Sequence, residues 1–256
     1  MCRLLGLIGV PPLPVGQVLD AFLPLSKEGH VKCTMTPGHL DGWGISGYSG
    51  GRAVYFERRA DPATDAGELF QKAKDKAQLS QTRVLIAHLR KASAGVRDLR
   101  NTHPFHCRDW IFAHNGTLFN VSALPLIDNQ PQGQTDSEHF MLWLLEQVRN
   151  EEDVTEALVN VLKEWREKLV FSSLTFILTD GKTLWAYRDY GDKNFEAGET
   201  LAERDKYYTL YTVRVGQCDI LCSEPLKSVA PSWRPLLPRT LMEFSLTKPA
   251  PRTFSI

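Results

Sequence analysis

Met1-Cys2-Arg3-Leu4-Leu5-Gly6-Leu7-Ile8-Gly9 opens the chain, and the segment Arg3–Gly9 reads as a buried strand. Directly before it stands Cys2. If Met1 is removed, one residue carries both a thiol and a free α-amine. An α-amino group titrates near neutrality, at about 7.7–8.0, so such a residue holds a nucleophile and its own base. The plainer alternative is a core cysteine at the start of a strand, since cysteine is among the most buried residue types. Position alone favours burial, and the rest of the chain has to decide.

At 256 residues the chain is one large domain or two small ones, long enough to bury a real core. Lys plus Arg and Asp plus Glu both number 30, giving a formal charge of zero and a pI of about 7.0. That balance argues against a nucleic-acid or anionic-membrane surface, which needs a basic excess. Five scattered cysteines (Cys2, Cys33, Cys107, Cys218 and Cys222) suit reduced thiols in a cytoplasmic protein. Cys218 and Cys222 share an apolar run without a companion pair, so packing explains them better than a metal. Pro11, Pro12 and Pro14 interrupt the first hydrophobic run, which is unlike an export signal. No stretch has the roughly 18 apolar residues of a membrane span. The expectation is a soluble protein that stays where it is made.

Strands are expected at 42–48 and 52–59, forming a hairpin around Ser49-Gly50-Gly51, then at 83–89 and 110–114. Helices are expected at 15–23, 66–78, 136–149 and 154–168. In the third of these, Phe140, Trp143, Leu144 and Val148 make one stripe. The later part reads as strand at 173–179, 184–188, 207–213, 218–222 and 241–246. The charged segment 189–206 reads as a surface excursion and the proline-bearing 225–238 as irregular wrapping. Early strands, central helices and late strands point to a single α+β domain of two packed sheets with helices outside.

Four segments between residues 88 and 139 have the residue types for chemistry, and each has a structural alternative. His88-Leu89-Arg90-Lys91-Ala92-Ser93 ends a strand; its arginine fork suits bidentate capture of a carboxylate, or it is a solvated basic cluster. Asn101-Thr102-His103-Pro104-Phe105 holds a histidine in the extended backbone that precedes proline, as a base or ligand or as a structural group. His114-Asn115-Gly116 is either a hairpin turn or an oxyanion hole built from an amide and a glycine N–H. Gly133-Gln134-Thr135-Asp136-Ser137-Glu138 contains a capping box, Thr135 to Glu138. Asp136 then complements the helix dipole, or binds a substrate ammonium. Taken in order with Cys2, these groups fit glutamine: Arg90 for its α-carboxylate, Asp136 for its α-ammonium, and Cys2 for its amide carbon.

In these elements the chain resembles the class II, or N-terminal-nucleophile, glutamine amidotransferases. The resemblance rests on Cys2 with its strand, Ala87-His88-x-Arg90, Thr102-His103-Pro104-Phe105, His114-Asn115-Gly116 and Thr135-Asp136-Ser137-Glu138. Asp41-Gly42-Trp43-Gly44 and Ser223-Glu224-Pro225-Leu226 resemble a single-domain, YafJ-like branch. The resemblance implies a four-layer αββα sandwich of two antiparallel sheets, the N-terminal-nucleophile hydrolase type. It makes residues 1–256 one glutamine amidotransferase domain. It implies Cys2 as nucleophile, Asn115 and Gly116 as oxyanion donors, and Arg90, Asp136, His103, Ser93 and Trp43 as substrate-binding residues. Neither a metal nor a cofactor is implied. Larger members carry a second domain that consumes the ammonia. Here the resemblance leaves a separate ammonia-accepting subunit, a stand-alone hydrolase of γ-glutamyl compounds, or a non-catalytic scaffold, with room for a homodimer. It also requires that Met1 be removed, so that the Cys2 amine is free.

Overall fold

The computed structural model describes residues 2–32, 35–93, 95–195 and 199–256. Met1 and Cys33, on which two expectations bear, lie outside the described residues. In chain order the first half holds β1 (Arg3–Gly9), α1 (Val15–Phe22), α2 (Leu25–Glu28), β2 (Trp43–Ser49), β3 (Arg52–Arg59), α3 (Gly67–Leu79) and β4 (Val84–Leu89). Then come β5 (Phe105–Cys107), β6 (Trp110–Asn115), α4 (Asp136–Val148), α5 (Val154–Trp165), β7 (Thr175–Thr179) and β8 (Thr183–Arg188). The last part is α6 (Leu201–Tyr207), β9 (Tyr211–Val215), β10 (Cys218–Cys222), β11 (Arg234–Pro235), β12 (Thr240–Ser245) and β13 (Arg252–Ser255).

The strands form two antiparallel sheets. One runs β11-β9-β10-β1-β4-β2-β3, the other β13-β12-β8-β7-β6-β5. Side-chain alternation along β1 divides its apolar residues between two cores. Leu5 and Leu7 face Val18, Phe22 and Phe70 of α1 and α3, while Leu4 and Ile8 face Ile111, Ile177 and Ala186 of the second sheet. On the far side of that sheet, Phe140, Leu144 and Leu158 of α4 and α5 pack on Phe112, Phe176 and Tyr187. The layers are therefore helix, sheet, sheet, helix, as expected.

Segment 189–206 differs from expectation. It contains α6, opened by a complete capping box between Thr200 and Glu203. Arg204 of this helix is fully buried, and both it and Lys32 pair with Glu199. Tyr207 and Tyr208 are buried at the end of α6, so the expected strand at 207–213 starts later, at Tyr211.

The late motif has a structural task. Ser223 Oγ accepts from the Leu4 nitrogen (2.8 Å), and the Ser223 nitrogen donates to the Leu4 carbonyl (3.0 Å). Glu224 pairs with the buried Arg3 (3.4 Å), whose Nε also donates to His39 Nε2 (3.1 Å). The start of β1 is thus clamped from both sides.

Candidate active site

Antiparallel pairing puts Arg3 opposite Leu89 and Leu4 opposite His88. Cys2, one residue ahead of β1, consequently lies beside Arg90, one residue beyond β4. From the facing sheet, β6 ends on Asn115. The Cys2 nitrogen donates to Asn115 Oδ1 (2.9 Å), which fixes which way the amide points. Asn115 Nδ2 is buried and has no hydrogen-bond partner among the described residues. A buried donor without a partner carries a free-energy cost of about 1–3 kcal/mol. Such a group calls for an explanation, and an acceptor that appears only during reaction supplies one.

Gly116 follows. A Cβ there would lie 2.0 Å from the Ser173 carbonyl oxygen and 2.7 Å from His114 Nε2. Only glycine lets this backbone pass between the two, so a close approach of chain to chain requires glycine here. The Cys2 thiol donates to the Lys91 carbonyl (3.6 Å). The Arg90 guanidinium is buried and held by the carbonyls of Asp41 (3.3 Å), Val96 (3.4 Å) and Gly95 (3.4 Å).

Asp136 is the first residue of α4, capped by Thr135, whose Oγ1 accepts from the Glu138 nitrogen (3.2 Å). The expected capping box is only half formed. Glu138 turns instead to the backbone nitrogens of Gln132 (2.9 Å) and Gly133 (2.7 Å), tying down the loop before the helix. Asp136 Oδ2 accepts from the Leu118 nitrogen (2.7 Å), and the residue lines the cleft. Thr135→Ala removes the cap and is expected to lower stability by about 1 kcal/mol, read from the urea midpoint.

Cys2, Arg90, Ser93, His103, Gly116 and Asp136 line one small cleft, with Asn115 tied to the Cys2 nitrogen. Ser93 sits at the exposed rim, its Oγ accepting from Thr117 Oγ1 (3.0 Å). His103 is brought in because Gly44 lets segment 102–104 lie against β2; a Cβ on Gly44 would be 2.4 Å from the His103 carbonyl. Its ring stacks on His88 with centroids 4.3 Å apart, and burial holds both imidazoles well below their usual pKa. Trp43 is not brought to the cleft. Its indole is fully buried on the helix side of β2, 5.2 Å from the Phe70 ring centroid, because alternation turns it away from His88.

Three residues of the quoted motifs, Asp41, His114 and Ser137, carry no role of their own in the sequence reading. Asp41 holds the loop after β4, accepting from the Ala92 nitrogen (2.9 Å) and pairing with Arg97 (2.6 Å). Its signal was its place directly before the Gly42-Trp43-Gly44 run. His114 and Ser137 also line the cleft. Among the described residues no group of three His, Cys, Asp or Glu is spaced to hold a metal, and no helix is long and apolar enough to cross a membrane.

Residues 1–204 match the family described as glutamine amidotransferases class-II. YafJ of Escherichia coli is 32% identical over 199 residues, covering 73% of this chain and 72% of YafJ. A protein of Methanocaldococcus jannaschii is 30% identical over 199 residues, 74% of this chain; those residues span about half (51%) of that relative. In fold the chain is similar to glutamine phosphoribosylpyrophosphate amidotransferase from B. subtilis, with a TM-score of 0.65 at 16% identity. That likeness covers 99% of this chain and 49% of the other. The four-layer sandwich is of the N-terminal-nucleophile hydrolase type.

Proposed function

The chain belongs to the class II glutamine amidotransferases, and from that premise we propose that residues 1–256 form one glutaminase domain using Cys2 as its nucleophile. The carrying observation is the buried, unpartnered Asn115 Nδ2 beside a thiol whose own nitrogen orients that amide.

In this reading Arg90 pairs with the α-carboxylate of glutamine and Asp136 with its α-ammonium, while Ser93 and His103 border the side chain. With Met1 gone, the Cys2 amine takes the thiol proton, directly or through water. The thiolate attacks the γ-carboxamide carbon, and the oxyanion accepts from Asn115 Nδ2 and the Gly116 N–H. The amine returns its proton to the departing nitrogen, which leaves as ammonia. Water then hydrolyses the γ-glutamyl thioester, releasing glutamate and the thiol.

The test uses protein whose intact mass shows loss of Met1. Glutamate release is followed with glutamine and with γ-glutamyl dipeptides, and Cys2 is treated with a glutamine-like electrophile. Turnover of glutamine together with adduct on Cys2 supports the reading. Preference for dipeptides would replace it with a γ-glutamyl hydrolase. Neither turnover nor labelling would leave a non-catalytic scaffold, and full activity with Met1 retained would remove the α-amine as base.

A further inference from the structure

His114 lines the cleft between the two halves of the site. Alternation along β6 turns Asn115 toward the opposite sheet and His114 toward α4, where its ring lies 6.1 Å from that of Phe140. It is buried, and both of its nitrogens are engaged. Nε2 meets the Ser173 carbonyl at 3.0 Å, and Nδ1 meets Ser137 Oγ at 2.9 Å. A carbonyl only accepts, so Nε2 carries the proton and Nδ1 accepts from the Ser137 hydroxyl.

The two contacts have different consequences. The Ser173 carbonyl is the atom against which Gly116 packs, so the Nε2 bond sets how deep the oxyanion donors sit. Ser137 adjoins Asp136 on the first turn of α4, so the Nδ1 bond sets where the acid begins. A second tie, Leu118 nitrogen to Asp136 Oδ2, joins the same two segments farther out.

We propose that His114 is a positioning residue that sets the accepted side-chain length, by holding the oxyanion donors of β6 and the Asp136 carboxylate of α4 at one fixed separation. The proposal rests on the glutaminase reading above. Glutamine must put its amide carbon on Cys2 while its α-ammonium meets Asp136. Asparagine is shorter by one methylene and cannot reach both points at once. One methylene in a pocket is typically worth about 10–200-fold in kcat/KM.

The experiment compares kcat/KM for glutamine and asparagine, by ammonia release, in the wild type, His114→Gln, Ser137→Ala and the double variant. His114→Gln can keep a donor for Ser173 but places no acceptor at the Nδ1 position that faces Ser137; Ser137→Ala breaks the same bond from the other side. The wild type should favour glutamine by about 100-fold. Each single variant should lower that ratio by roughly tenfold, mainly through a higher KM for glutamine. The double variant should lose no more than either single one, because all three remove one shared bond. An unchanged ratio in folded Ser137→Ala, or additive losses in the double variant, would overturn the proposal. If the wild type turns over neither amide, the glutaminase reading itself fails, and that result is distinct from a ruler that does not measure.

Discussion

Asn115→Ala should lose about 10²–10³-fold in kcat toward glutamine, with KM within a few-fold of wild type. The asymmetry follows from how the amide is used. In the resting protein Nδ2 has no partner, so removing it breaks no ground-state hydrogen bond among the described residues. In the proposed mechanism the oxyanion is the acceptor for this donor, and it exists only once the thiolate has attacked. An interaction made only in the transition state appears in kcat, whereas Arg90 and Asp136, proposed to hold the amino-acid end throughout, should appear in KM. The variant also loses the acceptor for the Cys2 nitrogen, a bond worth about 1 kcal/mol, so its fold should persist. Steady-state kinetics and a urea titration on the same preparation separate the two effects. More than a tenth of wild-type kcat would mean that the oxyanion is held elsewhere.

How far the residues alone lead is clearest where they mislead. The bounds of β1 and β10 are read directly, because an apolar run in a buried strand has few other homes. Helix α6 is hidden by its charges: Arg204 and Lys206 suggest a solvated loop, while Thr200 and Glu203, the actual start signal, sit among them. Tyr207 and Tyr208 look like strand residues, yet they end a helix and are fully buried, Tyr207 beneath the Arg3 guanidinium at 4.4 Å. Burial beneath a distant cation is a tertiary fact that no local propensity carries. The site shows the same division. Residue types and their order bring Cys2, Arg90, Gly116 and Asp136 to one cleft. Trp43 reads as a site residue because its neighbours Asp41 and Gly44 serve the cleft, and only strand alternation shows the indole facing the other way. His114 went unassigned for the mirror reason: what it does depends on Ser137 and Ser173, which the fold alone brings together.

Mild acid should destabilise this protein, and its buried histidines are the cause. His39, His88, His103 and His114 are buried, and burial is the leading reason each is held below its usual pKa; Arg3 adds to it at His39, which is pushed down to about 2. Bonding reinforces burial at two of them. His39 Nε2 must keep its lone pair for Arg3 Nε, and His114 Nδ1 must keep its own for Ser137. His88 and His103 are stacked, so a proton on either would charge one face of the pair. Once unfolded, all four regain an ordinary pKa near 6.5. Below that value the unfolded chain binds protons that the folded one refuses, and stability falls as pH falls. The contribution is complete above about pH 7 and is lost downward from about pH 6.5, continuing toward the depressed folded-state values. His39, held at about 2, removes roughly 2 kcal/mol between pH 7 and pH 5, and the other three act in the same direction. Urea midpoints at pH 7.5, 6.5 and 5.5 should therefore drop, with a slope that steepens toward the lowest pH as the unfolded histidines take up protons. A flat midpoint across that range would refute the account. His39→Gln, whose side-chain oxygen can still accept from Arg3, should flatten the slope by about one proton, because the residue that refused it in the folded state is no longer there to take it in the unfolded one.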